Sequence, residues 1–260
     1  DHLREIDVAV VHDLPGVGKN LSDHYTVRIS RRAVNTVSIN ELSRFPKVVP
    51  EVAKWLLRGN GALTFGVSSA QCYTTSREGL ASPDIQLLFT PASYDANEFG
   101  VLEKEPGATI AISIARPNSR GEIMATSADP FTRPAIRPNF LSDPDDMRIS
   151  KEGIRQAREI FAQPAFIKNL ADETTPGSDV SDDAGLEKFI RETGRTIYHC
   201  VGTCKMGEDP MSVVDSRLRV HGIDGLRVVD ASVMPTVTTG NTNAPTIMIA
   251  EKASAMILED

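Results

Sequence analysis

The last quarter of the chain holds a dense set of polar residues that could handle a proton. His199 lies within Tyr198–Gly207, and the neighbouring Asn241 and Asn243 lie within Thr239–Thr246. An imidazole with an ordinary pKa of about 6.5 can accept a proton at neutral pH, and we expect no other histidine near this cluster. The pattern resembles half of an active site, although a lone histidine with a structural role is the alternative.

Other kinds of chemistry have weaker support. Cys200 and Cys204 have the spacing Cys-x3-Cys, which suits neither a redox pair nor a zinc site, so we expect no metal. Cys72 has no activating partner in the sequence and is expected to pack in the core. The glycine-rich segment Leu14–Leu21 lacks the third glycine and the following helix of a dinucleotide motif, so it predicts a structural turn.

Two strands and a helix are predicted around the polar cluster. Val8–Val11 and Arg227–Ala231 are rich in β-branched residues, which favour strands. A helix is predicted from Asn243, with Pro245 in its first turn, to about Leu258. Apolar residues on all sides of its first turns predict a buried start, which would attract negative charge. Capping by Asn243 alone is the other interpretation.

The middle of the chain predicts a separate layer of strands and helices. Thr109–Ala115 alternates apolar and small residues with a period of two, and the turn residues after it predict a hairpin with Glu122–Thr126. Amphipathic helices are predicted from Pro50 to Arg58, from Pro144 to about Phe161, and from about Asp182 to Thr193. Helices beside an antiparallel sheet form an α+β layer that could shape a pocket.

Composition narrows the class of protein. The chain has 260 residues, of which 40% are hydrophobic and 24% charged, so it can bury a core and is neither disordered nor fibrous. Its net charge is −7 and its basic residues are scattered, so we expect no nucleic-acid partner. We expect neither a signal peptide nor a transmembrane segment, because no apolar run approaches about 18 residues.

A family resemblance rests on the order of several segments. They are Tyr198-His199, Gly202–Gly207, Val213–Asp215, Arg219–Gly222, Gly225–Ser232, Met234-Pro235 and Gly240–Thr246. This order resembles the C-terminal signature of the glucose-methanol-choline (GMC) family of flavin oxidoreductases. Leu14–His24 resembles a second segment of the same family. The resemblance covers the whole chain and is most specific near its two ends.

The resemblance implies an α/β fold with an α+β substrate layer. Residues 1–24 would be part of an FAD-binding, Rossmann-like domain, and residues 25–193 would form a substrate-binding domain with an antiparallel sheet and helices. Residues 194–260 would return to the FAD-binding domain and carry the active-site residues. The family's Gly-x-Gly-x-x-Gly unit is not in this sequence. The expected partner is therefore an N-terminal FAD-binding polypeptide of the same enzyme.

The resemblance also assigns roles to residues. It implies that His199 is the catalytic base and Asn241 its catalytic partner. The implied FAD contacts are Asp230, Ala231, Thr242, Asn243 and Ala244. Such enzymes oxidise a small alcohol to an aldehyde or ketone by handing hydride to flavin N5, here only when the N-terminal half is present. The helix start would offer its positive end to the reduced flavin.

Several alternatives stay open. A flavin-containing lyase of the same family and a non-catalytic binding module are the other functions considered. Candidate pocket residues are Phe89, Tyr94, Asn97, Glu98 and Phe99. An acidic residue there would favour a cationic alcohol such as choline, whereas a solvated loop is the simpler interpretation. We expect a cytoplasmic protein; attachment to a membrane electron acceptor and homo-oligomer formation are both open.

Overall fold

The computed structural model describes residues 2–66, 68–95 and 100–260. Its helices are α1 (His2–Glu5), α2 (Ile39–Leu42), α3 (Val48–Arg58), α4 (Pro144–Phe161), α5 (Pro164–Ile167), α6 (Asp183–Thr193) and α7 (Asn243–Glu259). Its strands are β1 (Tyr25–Ala33), β2 (Ala70–Thr74), β3 (Ile85–Thr90), β4 (Gly107–Ile114), β5 (Glu122–Met124), β6 (Ala135–Arg137), β7 (Leu170–Thr175) and β8 (Arg195–Thr196). Short 3-10 turns cover Ala62–Thr64 and Ala231–Val233.

The chain divides into two compact units. Unit 1 consists of Asp1–Tyr25, Ala115–Asp146 and Thr196–Asp260, and unit 2 of Thr26–Ile114 and Met147–Arg195. The segment 115–146 thus groups with unit 1, whereas the predicted substrate-binding range included it. The reason is backbone pairing, since its residues bond to the turn that precedes β1. The assignment of cofactor and substrate binding to these units stays a prediction.

Unit 2 is built on an antiparallel sheet. The strand order is β2-β3-β4-β1-β7, and β8 pairs with β1. Ile29 lies opposite Ile110, and Leu87 lies opposite Ile112. These side chains are buried because helices cover the sheet. The predicted fold class, with helices beside an antiparallel sheet, is confirmed.

Helix α4 packs closely on this sheet. A side chain at Gly153 would place its Cβ 2.4 Å from Cγ2 of Ile112, so only glycine allows this approach. Ile154, Ala157 and Phe161 lie on the buried side of α4, as its apolar stripe predicts. Helix α6 begins after Asp182, whose carboxylate accepts a hydrogen bond from Gly185 N.

Unit 1 has little regular sheet. Its apolar core consists of Val201, Val213, Val214, Leu218, Val220, Val233, Met234, Val237, Ile249 and Ala253. Isolated bridges tie the loops together, including Ser22 to Val201 and Leu21 to Gly121. These long-range backbone bonds fix the segments before β1 and after β8, which carry the polar cluster.

The predicted hairpin is wrong. Strand β4 pairs with β1 and β3, whereas β5 pairs with β6, so Glu122 lies opposite Arg137. The turn residues after β4 were identified correctly as irregular. However, the Gly121 backbone exchanges hydrogen bonds with Leu21, at 2.8 and 3.0 Å, and this directs the chain away from β4.

Two predicted strands are also absent from the described residues. Val8–Val11 is irregular, and Val11 is 93% exposed. Arg227–Ala231 forms a single bridge, from Arg227 to Arg219, and then enters a 3-10 turn at Ala231. A β-branched run favours extended backbone, but a strand also needs a ladder partner, and neither segment has one here.

The structure also bears on membrane insertion. Among the helices of the described residues, none combines the length and the apolar character needed to cross a bilayer.

Candidate active site

The backbone around His199 is held by a buried carboxylate. Asp23 is 5% exposed, and its Oδ1 accepts a hydrogen bond of 2.9 Å from His199 N. Its Oδ2 accepts a hydrogen bond from the Thr196 hydroxyl, and that hydroxyl oxygen accepts a 2.8 Å bond from Tyr198 N. Tyr198 has a φ of 66°, an uncommon value for a non-glycine residue. Asp23 thus stabilises the sharp turn that presents the His199 ring.

Gly202 completes this turn at close range to another loop. Its φ is 94°, and a Cβ there would lie 2.3 Å from the carbonyl oxygen of Asn20. The Asn20 side chain donates to the carbonyl oxygens of Gly202, at 3.3 Å, and Pro235, at 3.0 Å. A glycine is therefore required where the two loops cross.

A second histidine lies against His199. His24 Nδ1 is 2.8 Å from His199 Nδ1, and the two rings meet edge to face with centroids 5.0 Å apart. His24 is 0% exposed. Its Nε2 lies 3.2 Å from the carbonyl oxygen of Ala115 and 3.0 Å from that of Thr238. Burial, together with the neighbouring His199, lowers the pKa of His24 to about 4.

The other nitrogen of His199 faces an amide. His199 Nε2 is 3.4 Å from Asn241 Nδ2; the imidazole is half-buried and Asn241 is exposed. Burial lowers the pKa of His199, and the charge of Asp23 opposes that effect. At neutral pH the ring is therefore neutral and able to accept a proton. The structure brings together the two residues predicted as catalytic, although no side chain was predicted on the Nδ1 side.

The expectation that no other histidine lies near this cluster is wrong. Asp23 and His24, the partners of His199, lie 176 and 175 positions earlier in the chain. The sequence contained a signal for them, since both close the family-like segment Leu14–His24. The turn prediction covers Leu14–Leu21 and assigns no role to the side chains of Asp23 and His24.

Cys200 is not set up as a nucleophile. Burial and the nearby Asp23 carboxylate raise the pKa of its thiol to about 12, and its Sγ lies 3.4 Å from Asp23 Oδ2. The thiolate is the reactive form, so this thiol is inert at neutral pH. Cys72, expected in the core, is exposed on the edge strand β2.

The predicted FAD contacts lie on two neighbouring elements. Asp230 is exposed, and its Oδ1 accepts a 2.7 Å hydrogen bond from Ser232 N at the start of the 3-10 turn. That turn, which includes the half-buried Ala231, packs against α7. Asn243 and Ala244 are exposed, and Thr242 before them is buried.

The expectation of a buried, Asn243-capped helix start is wrong. Thr242 is the N-cap, and within the described part of the chain its side chain makes no capping hydrogen bond. Ile247 and Met248 are 54% and 56% exposed. The first N–H groups of α7 thus lie next to Asn241 without a side-chain cap, and such groups favour an anionic partner. This arrangement fits the electron-rich pyrimidine end of a flavin.

The candidate pocket residues have other partners where the structure describes them. Phe89 packs against Phe166, with centroids 5.5 Å apart. The guanidinium of Arg28 lies over the Tyr94 ring, 4.7 Å from its centroid. This occupied ring face weakens the idea that Tyr94 binds a cationic alcohol. The remaining three candidates, residues 97–99, lie outside the described residues.

Unit 1 also has an apolar cavity. Its volume is about 650 Å³. Its apolar lining includes Leu14, Val17, Ile123, Val220, Leu226 and Val228. Leu226 is 48% exposed, and Val228 is half-buried.

Comparison with known proteins identifies the family. The C-terminal profile described as GMC oxidoreductase matches residues 117–250. The chain belongs to the GMC oxidoreductase family, so the resemblance found in the sequence is confirmed. The family consists of FAD-dependent flavoproteins.

Relatives and solved structures agree with this assignment. The oxygen-dependent choline dehydrogenase of Acinetobacter baumannii (strain AYE) is 41% identical over 255 residues, which are 98% of this chain and 46% of that protein. The enzyme of that name from Escherichia coli O157:H7 is 41% identical, with 98% and 45% covered. The chain thus spans about half the length of the curated relatives that it matches.

Two solved structures show the same fold. Formate oxidase of Aspergillus oryzae RIB40 superposes with a TM-score of 0.89 at 24% identity, covering 98% of this chain and 49% of that one. An FAD-dependent oxidoreductase from Chaetomium thermophilum gives a TM-score of 0.86 at 22% identity, with 99% and 51% covered. At these identities the likeness establishes the fold alone.

Proposed function

We propose that this chain is the part of an FAD-dependent oxidoreductase that takes the proton from an alcohol substrate. The observation that carries this proposal is the placement of His199. One side of its ring contacts the buried His24, and Nε2 on the other side faces the exposed Asn241 at 3.4 Å. A base held in this way can reach a small hydroxyl group in front of both side chains.

The reaction follows from the chemistry of an alcohol. FAD, when bound, accepts a hydride from the alcohol carbon. His199 accepts the hydroxyl proton at Nε2, and Asn241 donates a hydrogen bond from Nδ2 to the same oxygen. The electron pair of the broken O–H bond then forms the carbonyl double bond, so the product is an aldehyde or a ketone. Without the base, the carbon would lose hydride from a neutral alcohol, which is far less favourable.

The proposed cofactor contacts are Asp230, Ala231, Thr242, Asn243 and Ala244. Their support is the exposed start of α7, which directly follows Asn241 and lies against the 3-10 turn that Asp230 caps. A helix N-terminus carries about half a positive charge and stabilises negative charge on a bound group. It would favour the reduced form of the cofactor and so the forward direction of hydride transfer.

We propose that the rest of the FAD site comes from an N-terminal half outside this chain. Two observations support this proposal: the curated relatives extend to about twice the matched length, and the chain has no dinucleotide motif. The apolar cavity around Leu14, Val17 and Leu226 offers a surface on which such a half could pack. In this proposal residues 1–24 and 194–260 serve the cofactor, and residues 25–193 serve the substrate.

The substrate is proposed as a small alcohol. The relatives named choline dehydrogenase make choline the first compound to test. Reoxidation of the alcohol-reduced flavin by oxygen or by a quinone would identify the electron acceptor.

The test is anaerobic reduction of bound FAD by a panel of alcohols that includes choline. We expect one or more alcohols to bleach the flavin, and His199→Ala to slow bleaching by about 10²- to 10⁴-fold, the usual contribution of a general base. Bleaching by no alcohol would favour the lyase or the non-catalytic module, and an unchanged rate in His199→Ala would remove His199 from its role.

A further inference from the structure

We infer that His24 is a positioning residue that fixes the tautomer of His199, so that Nδ1 carries the hydrogen and Nε2 carries the basic lone pair. The inference rests on the proposed function only for its consequence in catalysis. The tautomer itself follows from hydrogen-bond geometry within unit 1.

The first step concerns the far nitrogen of His24. His24 Nε2 lies 3.2 Å from the Ala115 carbonyl oxygen and 3.0 Å from the Thr238 carbonyl oxygen. Carbonyl oxygens only accept hydrogen bonds, so Nε2 must carry a hydrogen to satisfy either of them. If Nε2 carried the lone pair instead, it and the two carbonyl oxygens would be three acceptors with no hydrogen between them in a buried site, which is costly.

The second step concerns the contact between the two rings. The Nδ1 atoms are 2.8 Å apart, a distance that requires one hydrogen between them. His24 already holds its hydrogen on Nε2, and a second one would make it a cation at a site that is 0% exposed. His24 is therefore neutral and accepts at Nδ1, and the shared hydrogen belongs to His199 Nδ1.

The third step gives the consequence at the open side of the site. A neutral imidazole has one N–H, so His199 Nε2 holds the lone pair and faces Asn241 Nδ2 at 3.4 Å. When Nε2 takes a proton, the new cation keeps its Nδ1–H bond to His24. The charged group that faces His199 from the neighbouring segment is Asp23, which binds its backbone N–H at 2.9 Å. Asp23 therefore orients the backbone of His199, whereas His24 fixes its ring.

This arrangement also determines the path of the proton. His24 is enclosed by protein and its hydrogen on Nε2 is engaged by two carbonyl groups. Its Nδ1 accepts the hydrogen bond from His199 Nδ1, but taking that proton would make His24 a cation in a fully buried site, which is costly. The proton must leave by the same nitrogen that received it, on the side of Asn241.

Two variants test the inference in the complete flavoprotein. In His24→Asn, the amide oxygen lies near the former Nδ1 position and can accept from His199. In His24→Leu, no acceptor remains. Nitrogen-15 NMR of histidine-labelled protein identifies which ring nitrogen of His199 is protonated, and stopped-flow flavin reduction measures the rate.

We expect the Nδ1–H tautomer in the wild type and in His24→Asn, with a similar pH profile of flavin reduction. We expect a mixture of tautomers in His24→Leu, a pH profile shifted to lower pH, and a rate lower by about tenfold to a hundredfold at saturating alcohol. An Nε2–H tautomer in the wild type would overturn the inference. So would an unchanged tautomer and rate in His24→Leu.

The two readouts separate this inference from the proposed function. If the NMR result is as expected but no alcohol reduces the flavin, the proposed function fails and the tautomer assignment stands. If flavin reduction depends on His199 but Nε2 of His199 carries the hydrogen in the resting protein, the proposed function stands and only the inferred role of His24 fails. Should His24→Leu not fold, the wild-type spectrum and His24→Asn still decide the tautomer.

Discussion

The buried neutral His24 predicts that the protein loses stability in mild acid. In the unfolded chain this histidine has its ordinary pKa of 6.5, and in the folded protein burial lowers the pKa to about 4. Between these two values the unfolded state binds a proton that the native state does not. Stability is therefore complete above about pH 6.5 and falls as the pH drops toward 4.

The size of the effect follows from the two pKa values. Each pH unit in this window changes the relative free energy by about 1.4 kcal/mol, so at about pH 4.5 the cost is about 2.5 kcal/mol. The free energy of unfolding of a typical domain is roughly 5–15 kcal/mol, so this loss is a large part of it. His199 has a lowered pKa as well and adds to the effect in the same direction.

Urea unfolding at about pH 7 and about pH 4.5 measures this loss in wild type and in His24→Gln. Glutamine can still donate to the carbonyl oxygens of Ala115 and Thr238 but does not titrate. Between the two pH values we expect the free energy of unfolding of His24→Gln to fall by about 2.5 kcal/mol less than that of wild type, whatever its stability at pH 7. His12→Gln, an exposed position in unit 1, should behave as wild type. Equal losses in wild type and His24→Gln would refute the reasoning.

Two further predictions concern the loop that carries His199. Asp23→Asn removes the negative charge that raises the pKa of His199, so the pH profile of flavin reduction should shift to lower pH. Iodoacetamide should also label Cys200 faster, because the pKa of its thiol falls from about 12. An unmoved pH profile would contradict this. Gly202→Ala places Cβ 2.3 Å from the Asn20 carbonyl oxygen at a φ of 94° and should cost about 2–4 kcal/mol in urea unfolding. Gly225→Ala is its control: the φ of Gly225 is 74°, but an added Cβ there meets no atom within 4 Å, so this change should cost only about 1–2 kcal/mol. Similar losses in both variants would show that the contact with Asn20 is not the cause.

Several helices were predictable from local sequence. The apolar stripe of α4, the Asp182 cap of α6 and Pro245 in the first turn of α7 each act within a few residues, and all three helices are present. The errors concern pairing. Val8–Val11 has strand composition without a partner, and β4 has a turn after it but pairs elsewhere, because a ladder depends on residues far away in sequence.

The candidate site divides in the same way. His199 and Asn241 were found in sequence because family motifs preserve residue type and order. Their juxtaposition with Asp23 and His24 was not found, since it depends on the bridge between Ser22 and Val201, which joins segments far apart in the chain. The sequence alone determined which side chain could act as a base. Which of its nitrogens is free to do so depends on tertiary contacts, because burial and the two carbonyl oxygens keep the hydrogen of His24 on Nε2 and leave its Nδ1 to accept from His199.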